Sequence, residues 1–365
     1  MEGFYRLLPQ VPLTEVYSTN PFTPHQFSLT KWSLSYRKIE EQRPRKITKL
    51  IPENCKDPYG IKGAESFSIL TEEGERLTTT LPPYHSGYFS RHPFFKAYTL
   101  KDYHYGPREF FLTQSGVLYA RWKNEAEQLG PEKEGSCVHE YKEVSSAGVS
   151  KFSTGHFYTL LLTEERELYA TGLNAGGELG LNDRKNKGSF QKVPFSQARE
   201  LLCGPAVSLV ITEKGKLFFS GVLTRQVGSP LHRKVFTELV LLCPIKGVQV
   251  NWNYLLFLTE TGSVYVIGTV DYPLDTSLCF LRHWHKVNLG TQVIQKIWAE
   301  GYSLLLLTTK GTVLIEHGGR SSQEREKCPY GFFPLTGLPK IKDALLCPLR
   351  SWQYNQQEYC LLFLV

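Results

Sequence analysis

The sequence predicts an all-β protein, a seven-bladed β-propeller forming one domain over residues 1–365, with its last blade closed by pairing of N-terminal and C-terminal strands. Three observations carry this expectation. One hairpin-like unit recurs six times, a glycine holds the same place in five of the six, and the two chain ends look like halves of a seventh unit.

The units are FSILTEEGERL (67–77), EFFLTQSGVLY (109–119), TLLLTEERELY (159–169), SLVITEKGKLF (208–218), LLFLTETGSVY (255–265) and LLLLTTKGTVL (304–314). Their threonines, Thr71, Thr113, Thr163, Thr212, Thr259 and Thr308, recur at intervals of 42 to 50 residues. A period of that size indicates propeller blades or stacked repeats. Each unit begins with an unbroken apolar run, as expected of a strand buried on both faces. Threonine ends the run, and a polar pair plus glycine make the turn, because glycine enters positive φ without a Cβ penalty. Gly74, Gly116, Gly215, Gly262 and Gly311 are these turn residues, and Arg166 replaces glycine in the third unit at an expected cost. No unit shows the sustained i, i+3, i+4 pattern that helical repeats need. At the ends, YCLLFLV (359–365) matches a first strand, and Gly3, Phe4 and Tyr5 match the turn glycine and second strand. Their pairing would leave no open sheet edge between the termini.

Composition agrees with a packed sheet protein. The chain is 41% hydrophobic with 21 Phe, 20 Tyr and a single Met, and β-branched and aromatic residues favour strands. Its formal net charge is +7, concentrated in residues 31–62, where nine Lys or Arg face four acids. That pattern predicts a local basic loop rather than a basic protein. Eight scattered cysteines without a CxxC pair suit reduced thiols in an intracellular protein of cytoplasm or nucleus. Cys203, Cys243 and Cys347, in three echoing LLC triplets, read as small buried residues at blade entries. The N-terminus shows no secretory pattern, and no apolar run reaches the roughly 18 residues of a membrane helix.

The third unit and its tail, in the best-preserved repeat (152–200), resemble the repeat of the regulator-of-chromosome-condensation family. The matching positions are Gly155, Thr163, Gly172, Asn174, Gly177, Leu179 and Gly180. Asn124, Leu129 and Gly130 keep part of the tail in the second unit, and later units retain mainly the hairpin. The resemblance implies a seven-bladed propeller. It also brings a known activity of the family, guanine-nucleotide exchange on a Ran-like small GTPase, and a tendency of some relatives to dock on chromatin through basic tails and loops. The loop 172–189 carries no insertion of the kind the founding member uses for exchange, and Glu178 and Asp183 are its only acids.

No enzyme signature appears. The glycine run GLNAGG lacks the dinucleotide and nucleoside-triphosphate fingerprints, and its flanks are strands rather than a helix N-terminus. Its glycines are expected to be turns packed between blades. Cys279, His283 and His285 fall short of the ligand count of a zinc site, so no metal and no cofactor is expected. The expected role is a non-enzymatic interaction scaffold, a monomeric ring or a subunit of a larger hetero-complex, bound to protein partners such as a small GTPase or chromatin. Two basic surfaces are candidates for partner contact. One is the segment 36–49 with Arg37, Lys38, Arg43, Arg45, Lys46 and Lys49, suited to phosphates or an acidic protein patch. The other is the blade edge with Arg282, His283, Trp284 and His285.

Overall fold

In a computed structural model of the 365-residue chain, the structure describes residues 16–19, 29–32, 47–53, 66–71, 73–80, 90–91, 95, 97–104, 108–124, 129, 137–145, 148–223, 231–241, 243–250, 254–268, 281–287, 289–300, 303–316, 332–334, 343–350 and 357–364. The described elements are β-strands. In chain order, β1 (Val16–Thr19) and β2 (Leu29–Trp32) come first. β3 (Ile47–Glu53), β4 (Ser66–Thr71), β5 (Arg76–Thr80) and β6 (Ser90–Arg91) make one antiparallel sheet. β7 (Leu100–His104), β8 (Arg108–Thr113), β9 (Leu118–Lys123) and β10 (Cys137–Ser145) make the next. β11 (Val149–Thr154), β12 (Tyr158–Thr163), β13 (Leu168–Gly172) and β14 (Lys187–Val193) follow. Then come β15 (Ala198–Cys203), β16 (Val207–Thr212), β17 (Leu217–Leu223) and β18 (Leu231–Leu239). A further sheet holds β19 (Ile245–Val250), β20 (Tyr254–Thr259), β21 (Val264–Gly268) and β22 (Leu281–Lys286). The next holds β23 (Ile294–Glu300), β24 (Ser303–Thr308), β25 (Val313–Glu316) and β26 (Phe332–Pro334). Finally β27 (Asp343–Arg350) and β28 (Gln357–Leu364) join β1 and β2 in the order β2-β1-β28-β27.

The chain divides into two compact units, residues 1–100 with 342–365, and residues 101–341. In the first, β1 pairs antiparallel with β28, Val16 opposite Leu364. The N-terminal strand beside the C-terminal one is therefore Val16–Thr19. Gly3, Phe4 and Tyr5, expected in that role, lie outside the described residues.

In the second unit the unbroken apolar runs have a clear cause. Alternate residues of each middle strand serve two different cores. Leu161 of β12 packs with Phe110, Leu112 and Val149, whereas Leu160 and Leu162 pack with Ala198 and Val210 of the following sheet. Leu209 and Ile211 of β16 face Ile245, Val248 and Phe257, while Val210 faces back. Leu256 and Leu258 of β20 pack with Ile294 and Leu306. A strand sandwiched this way has no polar face to display, so period-two alternation vanishes.

The turns explain the Thr-x-x-Gly pattern. Gly116, Gly215, Gly262 and Gly311 donate their N–H to the carbonyls of Thr113, Thr212, Thr259 and Thr308 at 2.9–3.1 Å. Each threonine hydroxyl accepts the N–H of the residue four places on: Val117, Lys216, Ser263 or Thr312. Threonine is therefore part of the turn, and does not merely end the strand. The turn glycines sit at φ 70° to 82°, Gly74 among them. They also receive the next sheet, since the Gly74, Gly116, Gly215 and Gly262 carbonyls accept the N–H of Leu100, Val149, Ile245 and Ile294. A Cβ on Gly215 would stand 2.8 Å from Pro244 Cβ, so space as well as φ selects glycine there.

Candidate interaction face

Inner strands β11, β15, β19 and β23 lie side by side within residues 101–341. Each carries a β-bulge after its first residue, which shifts the third residue into register: Lys151, Glu200, Gly247 and Lys296. Lys151 pairs with Glu200 at 2.5 Å and donates to the Arg199 carbonyl, joining β11 to β15. Arg199 reaches the Ile245 carbonyl of β19 at 3.3 Å. Hairpin turns at the same end add Lys101–Glu164 and Arg166–Glu213, each linking neighbouring sheets. This end of the second unit is thus a broad, charged and largely exposed face.

Arg166 holds the position that glycine holds elsewhere. Its φ is 64°, so the turn type is unchanged and the side chain bears the left-handed strain. Among the described residues no Ala198 N–H reaches the Arg166 carbonyl, although Leu100, Val149, Ile245 and Ile294 make that bond. The chain before Ala198 swings wide, with Gln197 itself at φ 68°. A hollow of about 540 Å³ opens there, floored by Phe195 and rimmed by Arg166, Glu213, Lys192 and Glu167. Its rim charges are matched as Arg166–Glu213 and Lys192–Glu167.

The opposite end of the strands is used to lock sheets together. Arg108, first in β8, donates Nη2–H to the Gly155 carbonyl at 2.7 Å. Tyr158, first in β12, gives its phenol to the Gly204 and Val207 carbonyls at 2.9 and 2.6 Å. Gly155 is required by space, since a Cβ there would lie 2.1 Å from the Tyr158 ring.

The glycine run 172–180 is a clamp between sheets. Asn174, fully buried, accepts Leu179 N–H at 2.9 Å and donates to Asp183 Oδ1 at 2.9 Å. Asn124 repeats the motif one unit earlier, accepting Leu129 N–H at 2.8 Å. The folded loop presents the Gly177 and Glu178 carbonyls to Ser220 and Ser208 hydroxyls of the next sheet, both at 2.6 Å. Asn182 N–H then bonds the Lys234 carbonyl at 2.8 Å. A Cβ on Gly177 would stand 2.7 Å from the Arg233 carbonyl oxygen, and one on Gly180 2.6 Å from the Phe236 ring. Gly172, Gly177 and Gly180 have φ of 106°, 94° and 70°. These amides and carbonyls are spent within the fold, with strands on both flanks, so the run has no phosphate-cradle geometry.

Buried titratable groups are structural. Cys203 is half-buried as a residue, and its thiol donates to the Ser153 carbonyl at 3.3 Å. Burial raises its pKa to about 12, the reverse of what a nucleophile needs. Glu109 crosses its sheet, accepting from Tyr103 on β7, Arg121 on β9 and Tyr141 on β10. Sequence reading missed this cluster and the Arg108 and Tyr158 latches, since a polar residue opening an apolar run carries no periodic signal.

Of the predicted contact residues, Arg37, Lys38, Arg43, Arg45 and Lys46 lie outside the described residues. Lys49 is on β3 and Arg282, His283, Trp284 and His285 are on β22, with their side chains likewise outside description. Among the described residues no helix is long and apolar enough to cross a membrane.

No family model matches the chain. Among curated proteins it is similar to the RCC1 domain-containing protein RUG3, mitochondrial, of Arabidopsis thaliana, 32% identical over 182 residues, covering 45% of this chain and 40% of that protein. It is similar also to the secretion-regulating guanine nucleotide exchange factor of Bos taurus, 29% identical over 209 residues, covering 53% and 44%. The matched stretches span less than half the length of these relatives. Among solved structures, human WBSCR16 matches with a TM-score of 0.68 at 14% identity, covering 96% of this chain and 98% of that one. Prp20p from Saccharomyces cerevisiae, described together with its binding to Gsp1p and histones, matches with a TM-score of 0.62 at 13% identity, covering 87% and 82%.

Proposed function

Because the chain is a divergent member of the RCC1-type repeat family, we propose that it is a seven-bladed propeller closed by its terminal strands and works as a non-enzymatic interaction scaffold. The observation that carries this reading is a division of labour. The polar groups of the glycine run are consumed in holding neighbouring sheets together and those of the buried Glu109 cluster in bracing a single sheet, while the turn end offers charged, exposed side chains. Partners then bind by shape and charge, with loop residues as anchors. The basic segment 36–49 and the edge 282–285 are secondary contact candidates on the same protein, suited to acidic surfaces or chromatin.

Cross-linking of the full chain in cells followed by mass spectrometry tests the scaffold role. A reproducible protein partner cross-linked through the turn end is expected, and recovery of the chain alone would overturn the reading. A second reading, guanine-nucleotide exchange, is favoured by the name of the Bos taurus relative. It predicts release of fluorescent GDP from a small GTPase at substoichiometric protein. Release would sink the scaffold-only reading, and its absence across a GTPase panel removes the alternative.

A further inference from the structure

The seam between β15 and β19 holds a crevice of about 220 Å³ at the turn end. Leu209 and Ile211 form its floor, and both are buried. Glu200, Leu201, Leu202 and Val248 form its walls, with Gly247 and Lys246 at its mouth. That volume is below the roughly 300–1,000 Å³ of a small-molecule pocket, and suits a single apolar side chain.

One residue at its mouth departs from its counterparts on the neighbouring strands. Gly247 stands where the neighbouring inner strands carry Lys151, Glu200 and Lys296, and a Cβ built on it meets nothing within 4 Å. Neither a positive φ nor a close contact, the two causes that select glycine in the turns, operates here. On the strand residues around it cations outnumber carboxylates. Over the first three residues of β11, β15, β19 and β23 stand four cations, Lys151, Arg199, Lys246 and Lys296, against the single carboxylate Glu200. Glu200, which itself lines the crevice, is paired with Lys151, so those two charges offset each other. Lys246 is exposed and makes no ion pair among the described residues.

We infer that this crevice is the anchor point for an acidic protein segment, which seats one apolar side chain over Leu209 and Ile211 beside Gly247 while its flanking carboxylates meet Lys246 and the neighbouring cations. The inference rests on the interaction role proposed above and names the chemistry of the partner. Filling the crevice removes apolar burial, and reversing Lys246 removes attraction and its salt dependence.

The test is selection of random dodecapeptides displayed on phage against the immobilised full chain, followed by fluorescence polarisation with the synthetic consensus peptide. Enriched sequences are expected to carry a Leu, Met or Phe flanked by Asp or Glu. Gly247→Leu should weaken the consensus peptide at least tenfold, and Lys246→Glu about fivefold with a flatter salt response. Replacing the apolar residue of the peptide by Ser should match the Gly247→Leu loss. Thermal melting checks both variants, and Gly247→Val stands in if the leucine lowers the melting point. Absence of enrichment, enrichment of non-acidic peptides, or binding within twofold in the filled variant overturns the inference. A cellular partner that cross-links equally to wild type and Gly247→Leu also overturns it and leaves the scaffold role standing. Peptide binding as expected without any cellular partner supports the crevice while removing the scaffold role.

Discussion

Two neighbouring seams share one architecture and close it differently. Between the β11–β14 and β15–β18 sheets, polar groups bridge from the Tyr158 phenol through the Asn174 loop to the Lys151–Glu200 pair. Between the β15–β18 and β19–β22 sheets, the turn end is tied by the Gly215–Ile245 bond and by Arg199 reaching the Ile245 carbonyl, and the middle by apolar packing of Leu209, Ile211, Val248 and Phe257. The position that pairs two charges in the first seam is an empty glycine in the second. The repeat therefore fixes strands and turns, and leaves seam-lining residues open to local use. One seam spends them on cohesion. The other leaves a crevice that a partner can fill.

The largest expected difference concerns Asn174. Replacing it by Ala leaves the buried Leu179 N–H without its acceptor and loosens the loop that holds Ser208 and Ser220. An unfolding free energy lower by roughly 1–3 kcal/mol follows, the cost of one orphaned buried polar group. Gly247→Ala, in the other seam, should change stability by no more than about 0.5 kcal/mol. Urea denaturation of both variants measures this, and equal losses would break the contrast between seams.

The repeat was legible in the sequence because its signals are local. Thr113, Gly116, Thr212 and Gly215 recur at fixed offsets, and each sits in a turn whose φ and hydrogen bonds demand that residue. Asn174 and Gly177 were legible as structure for the same reason. The seam was not legible. Whether Lys151 meets Glu200, or Gly247 faces space, depends on residues about fifty positions apart being brought abreast, and on a bulge that rotates the third residue of each inner strand. Nor could sequence alone say that Arg166 keeps the glycine turn unaltered, because a change of turn type would have accounted for the same substitution.

Arg166 sharpens the comparison at the turn end. It occupies left-handed backbone at φ 64°, against a cost of about 1 kcal/mol or more for a side chain there. Its ion pair with Glu213 joins two exposed side chains and offsets only part of that cost. Arg166→Gly should therefore raise stability by about 0.5–1 kcal/mol. The mirror change, Gly215→Arg, should lower it, because a Cβ there meets Pro244 at 2.8 Å and the Ile245 N–H bond is lost. Thermal melts of the two variants moving in the same direction would show that the wide linker before Ala198 has causes other than Arg166.

The smallest effect separates the seams by pH. Burial raises the pKa of Glu178 above the ordinary carboxylate value, and its acceptance of the Gly176 N–H opposes that shift without cancelling it. A raised folded-state pKa means that the protonated form is favoured by folding. The resulting stabilisation is fully present below the unfolded-state pKa and is lost as pH rises through the folded-state value. Glu178→Gln keeps a carbonyl acceptor for Gly176 and removes the titration. The variant should melt about 1–3 °C higher than wild type near pH 7 and level with it near pH 4, a shift appropriate to less than about 1 kcal/mol in a unit of this size. Ser208 and Ser220 bond the backbone carbonyls of Glu178 and Gly177, not the carboxylate, so the clamp itself survives the substitution. A gap between the two melting curves that stays constant from pH 4 to pH 7 would place the effect in packing instead of charge.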